Sequence, residues 1–274
     1  MVYTMNKFLK GRGHLLLKTG KVAAGSLHSK SPCTFITVTC CLTLFLILGC
    51  TPASVRYKEI NGSNEIIIDG QITHDTYIKL KELYDKYEDF KFVSINSNGG
   101  NVDAAIDIGF LFRERKECLT VLEGDTCSSA CLFVLAGAPY RNVIGKVGIH
   151  RPYIDGHKQE APPDQKSDYD YMMKKVKLFF EYMNIPHPLY DEMIKVQSSK
   201  IRYLSRDELV SYKLSVNDFY YEKERTEKYA KQIGITKKEY ERRIKYIEDV
   251  CYKYLPDTAK VAACYRNVRD KGKE

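Results

Sequence analysis

The sequence predicts an α/β fold built on a largely parallel sheet covered by helices, with a small helical appendage at the C-terminus. Two observations predict the main body. Short β-branched runs alternate with stretches of helical periodicity, and twice a strand is followed by a small-residue turn that opens a helix. A third predicts the appendage: from about Tyr221 the composition turns to Lys, Glu, Tyr and Arg with a helical period.

In chain order, residues 51–63 read as a linker, and Glu65–Ile68 as a buried strand ended by Asp69-Gly70. A helix follows through Tyr77, Leu80, Leu83, Tyr84 and Tyr87, then a strand at Phe92–Ile95. Asn96-Ser97-Asn98-Gly99-Gly100 turns the chain into a helix whose face is Val102, Ala105, Ile106, Gly109 and Phe110. The same grammar recurs with Leu119–Leu122 as strand, Gly124–Ser128 as turn and Ser129–Leu135 as an apolar helix. Lys146–Ile149 is a strand that delivers His150 to its end, and after a polar loop comes a helix striped by Tyr169, Met172, Met173, Val176, Phe179, Phe180 and Met183. Alternating β and α units imply parallel strands buried on both faces. In the appendage, Tyr240, Ile244, Ile247, Cys251 and Tyr254 mark one helix, Pro256-Asp257 a turn, and Val261, Cys264, Tyr265 and Val268 another.

The formal charge of +8 is misleading until it is divided. Residues 1–50 hold six Lys or Arg and no acid, which leaves 37 basic against 35 acidic residues beyond them. A near-neutral body lacks the basic face that displaces counterions from phosphates, so nucleic acid is not an expected partner. The basic stretch precedes an uncharged run of 16 residues, 34–49, which reads as an export signal. It ends in Ile47-Leu48-Gly49-Cys50 and resembles the bacterial lipobox, in which the cysteine is lipidated; an uncut anchor or an ordinary cleaved signal are the alternatives. Domains are therefore expected at 1–50 (signal), 51–63 (linker), 64–220 (main domain) and 221–274 (appendage). Resemblance to Gram-negative lipoproteins, with Thr51 and not Asp after Cys50, implies a periplasm-facing outer-membrane protein.

Five of the nine cysteines fall in the folded part: Cys118, Cys127, Cys131, Cys251 and Cys264. Export and the lack of metal-ligand spacing make them disulfide candidates, with one thiol over. Helices folded back at Pro256 would bring Cys251 and Cys264 together, and a bridge using Cys127 would brace the turn at Ser129.

Three features carry chemistry. Gly99-Gly100 opens a helix after a strand, where unpaired N–H groups can hold an anion. Ser129 follows a strand and turn at the head of a helix, a place that suits a nucleophile and equally an N-cap. His150 lies at a strand end, as catalyst or as a structural histidine. In parallel α/β sheets all three positions fall at the carboxyl edge, where sites are built.

Ile95-Asn96-Ser97-Asn98-Gly99-Gly100-Asn101-Val102 resembles a signature of Clp-type serine peptidases, as do Glu65–Thr73, Gly148–Pro152, and the run from Arg202-Tyr203-Leu204-Ser205 through Leu214. The resemblance spans roughly residues 65–218 and implies the Clp/crotonase fold. It also implies roles: Ser129 as nucleophile, His150 as base, and the N–H groups of Gly100 and Ala130 as oxyanion hole, with a peptide or protein substrate and no cofactor. The block Cys127-Ser128-Ser129-Ala130-Cys131 resembles exported members of that superfamily. The acid that orients the histidine aligns with Ile201, which leaves a dyad or an acid recruited from Asp155 or Asp191. Related membrane peptidases use a lysine base; Lys174 and Lys175 read as the solvated side of their helix. A binding protein with the same cleft but no efficient chemistry, and an acyl-CoA enzyme, are the competing functions. Oligomeric state is open.

Overall fold

The computed structural model describes residues 53–60, 63–87, 90–154, 166–254 and 258–272. The export signal, Cys50 and Asp155 lie outside the described residues. Eight strands are present among them: β1 (Ser54–Ile60), β2 (Ser63–Asp69), β3 (Phe90–Asn96), β4 (Cys118–Val121), β5 (Thr126–Ser128), β6 (Tyr140–Val143), β7 (Lys146–Ile149) and β8 (Arg202–Tyr203). The helices are α1 (His74–Lys86), α2 (Val102–Arg115), α3 (Cys131–Gly137), α4 (Lys166–Tyr182), α5 (His187–Lys195), α6 (Arg206–Ser211), α7 (Phe219–Gln232), α8 (Lys237–Cys251) and α9 (Thr258–Lys271).

The strands form a five-stranded sheet in the order β1-β2-β3-β4-β6 and a three-stranded one in the order β5-β7-β8. From β2 to β6 the first is parallel, as crossover helices require. The isoleucines of β2 show why: Ile66 and Ile68 are fully buried, so apolar side chains meet cover instead of water. The sheets meet at the carboxyl end of β3, where Ser97 forms a parallel bridge with Cys127, its N–H donating to Thr126 and its carbonyl accepting from Ser128.

Four short or edge elements differ from expectation. The stretch 51–63, expected to be a linker, contains β1, antiparallel to β2 from Ser54 opposite Asp69 to Ile60 opposite Ser63. The stretch 124–128 is a turn only up to Asp125, after which β5 begins; β6 and β8 are also strands. Strands of two to four residues are too short to display a period of two, and β1 carries Arg56, Lys58 and Glu59, charges that suit a sheet edge.

Close helix packing fixes the layer over the sheet. A Cβ on Gly137 of α3 would lie 2.2 Å from the Cα of Gly109 in α2, and one on Gly109 would meet the Phe179 ring of α4 at 2.7 Å. Backbone approaches backbone there because neither residue has a side chain. Phe179 also meets Phe110 and Phe133 edge-on, with centroids 5.4 and 6.0 Å away. The stripe of α4 is core at Met173, Val176, Phe179, Phe180 and Met183. Lys175, expected on the solvated side, is instead buried and donates to Asp103 of α2 at 2.6 Å. Lys174 is exposed.

At the far end of α3, buried Arg141 donates to the carbonyls of Leu135, Ala136 and Lys213 and so caps the helix C-terminus. Burial and nearby Arg113 push its guanidinium down to about 10. Asp218 receives Arg113 at 2.9 Å and Asn184 at 3.0 Å, and its other oxygen accepts from the Tyr220 N–H to start α7. One residue thus caps the appendage's first helix and ties it to the main domain. The α8–α9 pair has its own small core of Ile247, Cys251, Cys264 and Val268, with Cys251 and Cys264 bridged at a Cα separation of 5.6 Å.

Candidate active site

The chain leaves β5 at Ser128 and enters α3 at Cys131, so it must reverse within two residues. Ser129 does this in the left-handed region, at φ +57°, which costs a non-glycine residue about 1 kcal/mol or more. Ala130 is already right-handed at φ −58° and ψ −23°. A strand-to-helix turn strained in this way projects a side chain from the carboxyl edge of a sheet. Ser129 is half-buried, and its N–H donates to the Gly148 carbonyl at 3.0 Å. Ser128 is fully buried, pairs with Gly148 in the β5–β7 ladder, and its hydroxyl has no hydrogen-bond partner among the described residues.

The glycine turn lies against this elbow. A Cβ on Gly99 would come within 2.6 Å of Ser129 Cβ and 2.8 Å of the Ala130 nitrogen. On Gly100 it would strike the Ile72 carbonyl at 2.1 Å. Both have positive φ, +98° and +145°, so glycine is required twice over. The turn is held by bonds from Ile72 to Gly99 and from Asn101 to Ile72, while the Asn101 side chain caps α2 at Ala104. These contacts use the neighbours of Gly100 and leave its own N–H, like that of Ala130, without an acceptor among the described residues. Two unpaired donors on abutting turns are what an oxyanion needs.

A disulfide joins Cys127 to Cys131 at a Cα separation of 5.2 Å and encloses Ser128, Ser129 and Ala130. Among the described residues Cys118 is the free thiol, half-buried, and burial raises its pKa.

His150 follows β7 directly and is 6% exposed. The β5–β7 ladder brings Ser129 to Gly148, two residues from the histidine, but Ser129 Oγ carries no hydrogen bond to any described residue. Catalytic hydrogen bonds commonly tighten only when substrate is bound. His150 Nδ1 lies 2.8 Å from the Arg151 carbonyl. A carbonyl can only accept, so Nδ1 bears a proton, which in the neutral imidazole puts the lone pair on Nε2, the arrangement a general base requires. Tyr153 stacks beside the ring, with centroids 5.9 Å apart.

β7 and β8 run antiparallel with Gly148 opposite Tyr203 and Ile149 opposite Arg202, and one further step sets His150 opposite Ile201, which is 42% exposed. Asp191 is turned to His187 at 3.2 Å. Lys175 is engaged by Asp103 of α2, at 2.6 Å. Two contributors were not foreseen from residue types: the Arg151 carbonyl, and Cys131 as partner of Cys127. A backbone acceptor leaves no mark in a sequence. The Cys-x-x-x-Cys spacing around Ser129 was the available signal for the bridge.

No family model matches the chain, and no curated protein matches it by sequence. Among the solved structures that resemble it are variants of a membrane-bound protease and of ClpP1. One is a variant of the membrane-bound stomatin-specific protease 1510-N, 19% identical over 58% of this chain and 82% of that one, with a TM-score of 0.42. A second 1510-N variant, in complex with a substrate peptide, is 21% identical over 54% of this chain and 71% of its own, again at 0.42. A variant of ClpP1 from Listeria monocytogenes is 17% identical over 55% of this chain and 88% of its own, at 0.43.

Proposed function

We propose that the protein is a serine hydrolase of the bacterial cell envelope acting on peptide bonds, of Clp-like ancestry, anchored by a lipid on Cys50 and facing the periplasm from the outer membrane. The observation that carries the reading is the left-handed Ser129 elbow facing two unpaired N–H groups. Ser129 Oγ attacks the substrate carbonyl, and His150 Nε2 takes its proton and passes it to the leaving amine. The N–H groups of Gly100 and Ala130 receive the developing oxyanion, each worth about 3 kcal/mol in the transition state. Water then releases the acyl group by the same route in reverse.

Reaction with a fluorophosphonate reports the assembled pair and not mere exposure of a hydroxyl. The full chain in detergent is expected to label at Ser129, and Ser129→Ala and His150→Ala to abolish labelling. Ser128 is a poor alternative because its hydroxyl is buried. The second reading, a binding protein that keeps the cleft without the chemistry, is favoured by Ile201, and a folded but unreactive wild type would establish it. The anchor is tested by palmitate incorporation, expected in the wild type; labelling that persists in Cys50→Ala rejects it.

A further inference from the structure

Where β4 and β6 end, residues 123–126, 144–146 and the start of α6 enclose a cavity of about 490 Å³, within the roughly 300 to 1,000 Å³ of small-molecule sites. It is separate from the elbow: none of Gly100, Ser129, Ala130 and His150 lines it. Ile144, Leu204 and Leu209 give it an apolar wall, while Lys146, Arg206, Glu123 and Asp125 bring two cations and two carboxylates to the same lining. Lys146 Nζ lies 5.7 Å from the centre of the Tyr203 ring, and neither Lys146 nor Glu123 forms an ion pair among the described residues.

Exposed apolar side chains surround this cavity. Leu122, Ile144, Tyr203 and Val210 are 44% to 56% exposed, and each lines the cavity or adjoins in sequence a residue that does. The backbone holds them together: the Ile144 N–H donates to the Val121 carbonyl at 2.8 Å, and Arg206 donates to the Ile144 carbonyl. Apolar surface rimmed by charge marks contact with a protein or a membrane. The path of the chain decides between the two. Cys50 stands four residues before Ser54, which pairs with Asp69. The Asn96 side chain joins that pair to the cavity, donating to Asp69 at 3.1 Å and accepting from the N–H of Thr126, a lining residue, at 3.1 Å. A lipid on Cys50 therefore brings its bilayer to the edge that bears the cavity.

We propose that this edge docks on the bilayer that holds the Cys50 lipid: Leu122, Ile144, Tyr203 and Val210 enter the headgroup layer, and the cavity seats a zwitterionic phospholipid headgroup with a primary ammonium. Its phosphate meets Lys146 and Arg206, and its ammonium meets Glu123 and Asp125. A purely anionic ligand would leave those two carboxylates opposed to it. Burial and neighbouring Asp69 raise the pKa of the Asp125 carboxyl, a surrounding that a cation relieves. Tyr203 and Lys146 are residue types that rest at headgroup level, with an apolar body and a polar tip.

The proposal depends on the lipid at Cys50 and not on the chemistry at Ser129. Its test uses the lipidated protein in a Cys118→Ser background, with a bimane fluorophore on Ile144→Cys or, as control, on Lys228→Cys. Lys228 is exposed on α7, which packs at the opposite edge, where Arg225 covers the Tyr140 ring at the start of β6. In vesicles of equal parts phosphatidylethanolamine and phosphatidylglycerol, a nitroxide on the lipid headgroup is expected to quench the probe at 144 about threefold more than the probe at 228. Replacing the ethanolamine lipid by phosphatidylcholine, whose ammonium has no N–H to donate, is expected to remove about half of that difference. Equal quenching at the two positions in protein that carries palmitate overturns the docking alone. Equal quenching at 144 in the two kinds of vesicle overturns the headgroup seat. A dimer in detergent that already shields the probe at 144 assigns the face to a second copy and overturns the proposal. Protein that incorporates no palmitate removes the anchor and the docking with it.

Discussion

The two disulfides close loops of different length in regions of different strength. Cys251–Cys264 joins two helices whose buried centre consists of four residues, two of them the cysteines themselves. Cys127–Cys131 sits inside the main core, among fully buried neighbours such as Val134, Val147 and Ile149. Where the core is small, a cross-link supplies stability; where packing already holds the chain, it fixes the path of a strained turn. Ser129, at positive φ between the two sulfurs' residues, is the part that depends on that path.

Separating these roles is a matter of measuring stability and reactivity on both double variants. Cys127→Ala with Cys131→Ala is expected to lower the labelling rate at Ser129 about a hundredfold, the usual consequence of misplacing a catalytic group by about 1 Å. Its unfolding free energy is expected to fall by only about 2 kcal/mol, because the loop is short. Cys251→Ala with Cys264→Ala is expected to destabilise the appendage by about 3 kcal/mol, seen as earlier loss of α8–α9 amide protection, with labelling unchanged. Equal losses of reactivity in the two would erase the distinction.

A smaller effect probes the main core away from both bridges. Glu117, between α2 and β4, is 8% exposed, and burial pushes its carboxyl up to about 7 against the pull of Tyr84 and Arg115. The fold thus prefers the protonated form: this group's contribution is fully present below the ordinary glutamate value of 4.5 and is lost as the pH rises through about 7. Glu117→Gln, which mimics the protonated state, is expected to stabilise the domain by about 1 to 2 kcal/mol at pH 8 and to change little at pH 5. Denaturant midpoints at the two pH values check it, and an equal shift at both removes the role of ionisation.

The parallel sheet was legible because β2 and β3 are long enough to show their β-branched runs and because α1, α2 and α4 carry clean apolar stripes. The edge strand β1 was not, since its charged residues look like a linker until β2 is present to pair with it. At the site, residue types pointed to Gly100, Ser129 and His150, and the family resemblance added Ala130 and Ile201. What they could not convey is made by backbone: the Arg151 carbonyl and the close approach of Gly99 to the elbow. Lys175 misled for a related reason, because helical spacing assigns a face but not the carboxylate that waits on the neighbouring helix.

The pairing of β1 has a further consequence for reach. The Ala53 N–H donates to the Gln71 carbonyl at 2.7 Å, and the next residue, Ile72, grips both neighbours of Gly100. The chain therefore enters the fold at the carboxyl edge, beside the glycine turn. With a lipid on Cys50, only residues 51–53 separate the bilayer from that fixed point, a leash of about 10 Å at full stretch. So short a leash would keep the glycine turn near the lipid headgroups and leave the fold little freedom to turn away. Its targets would be polypeptide segments that emerge from the same membrane, delivered by lateral diffusion within that surface and selected by their height above it.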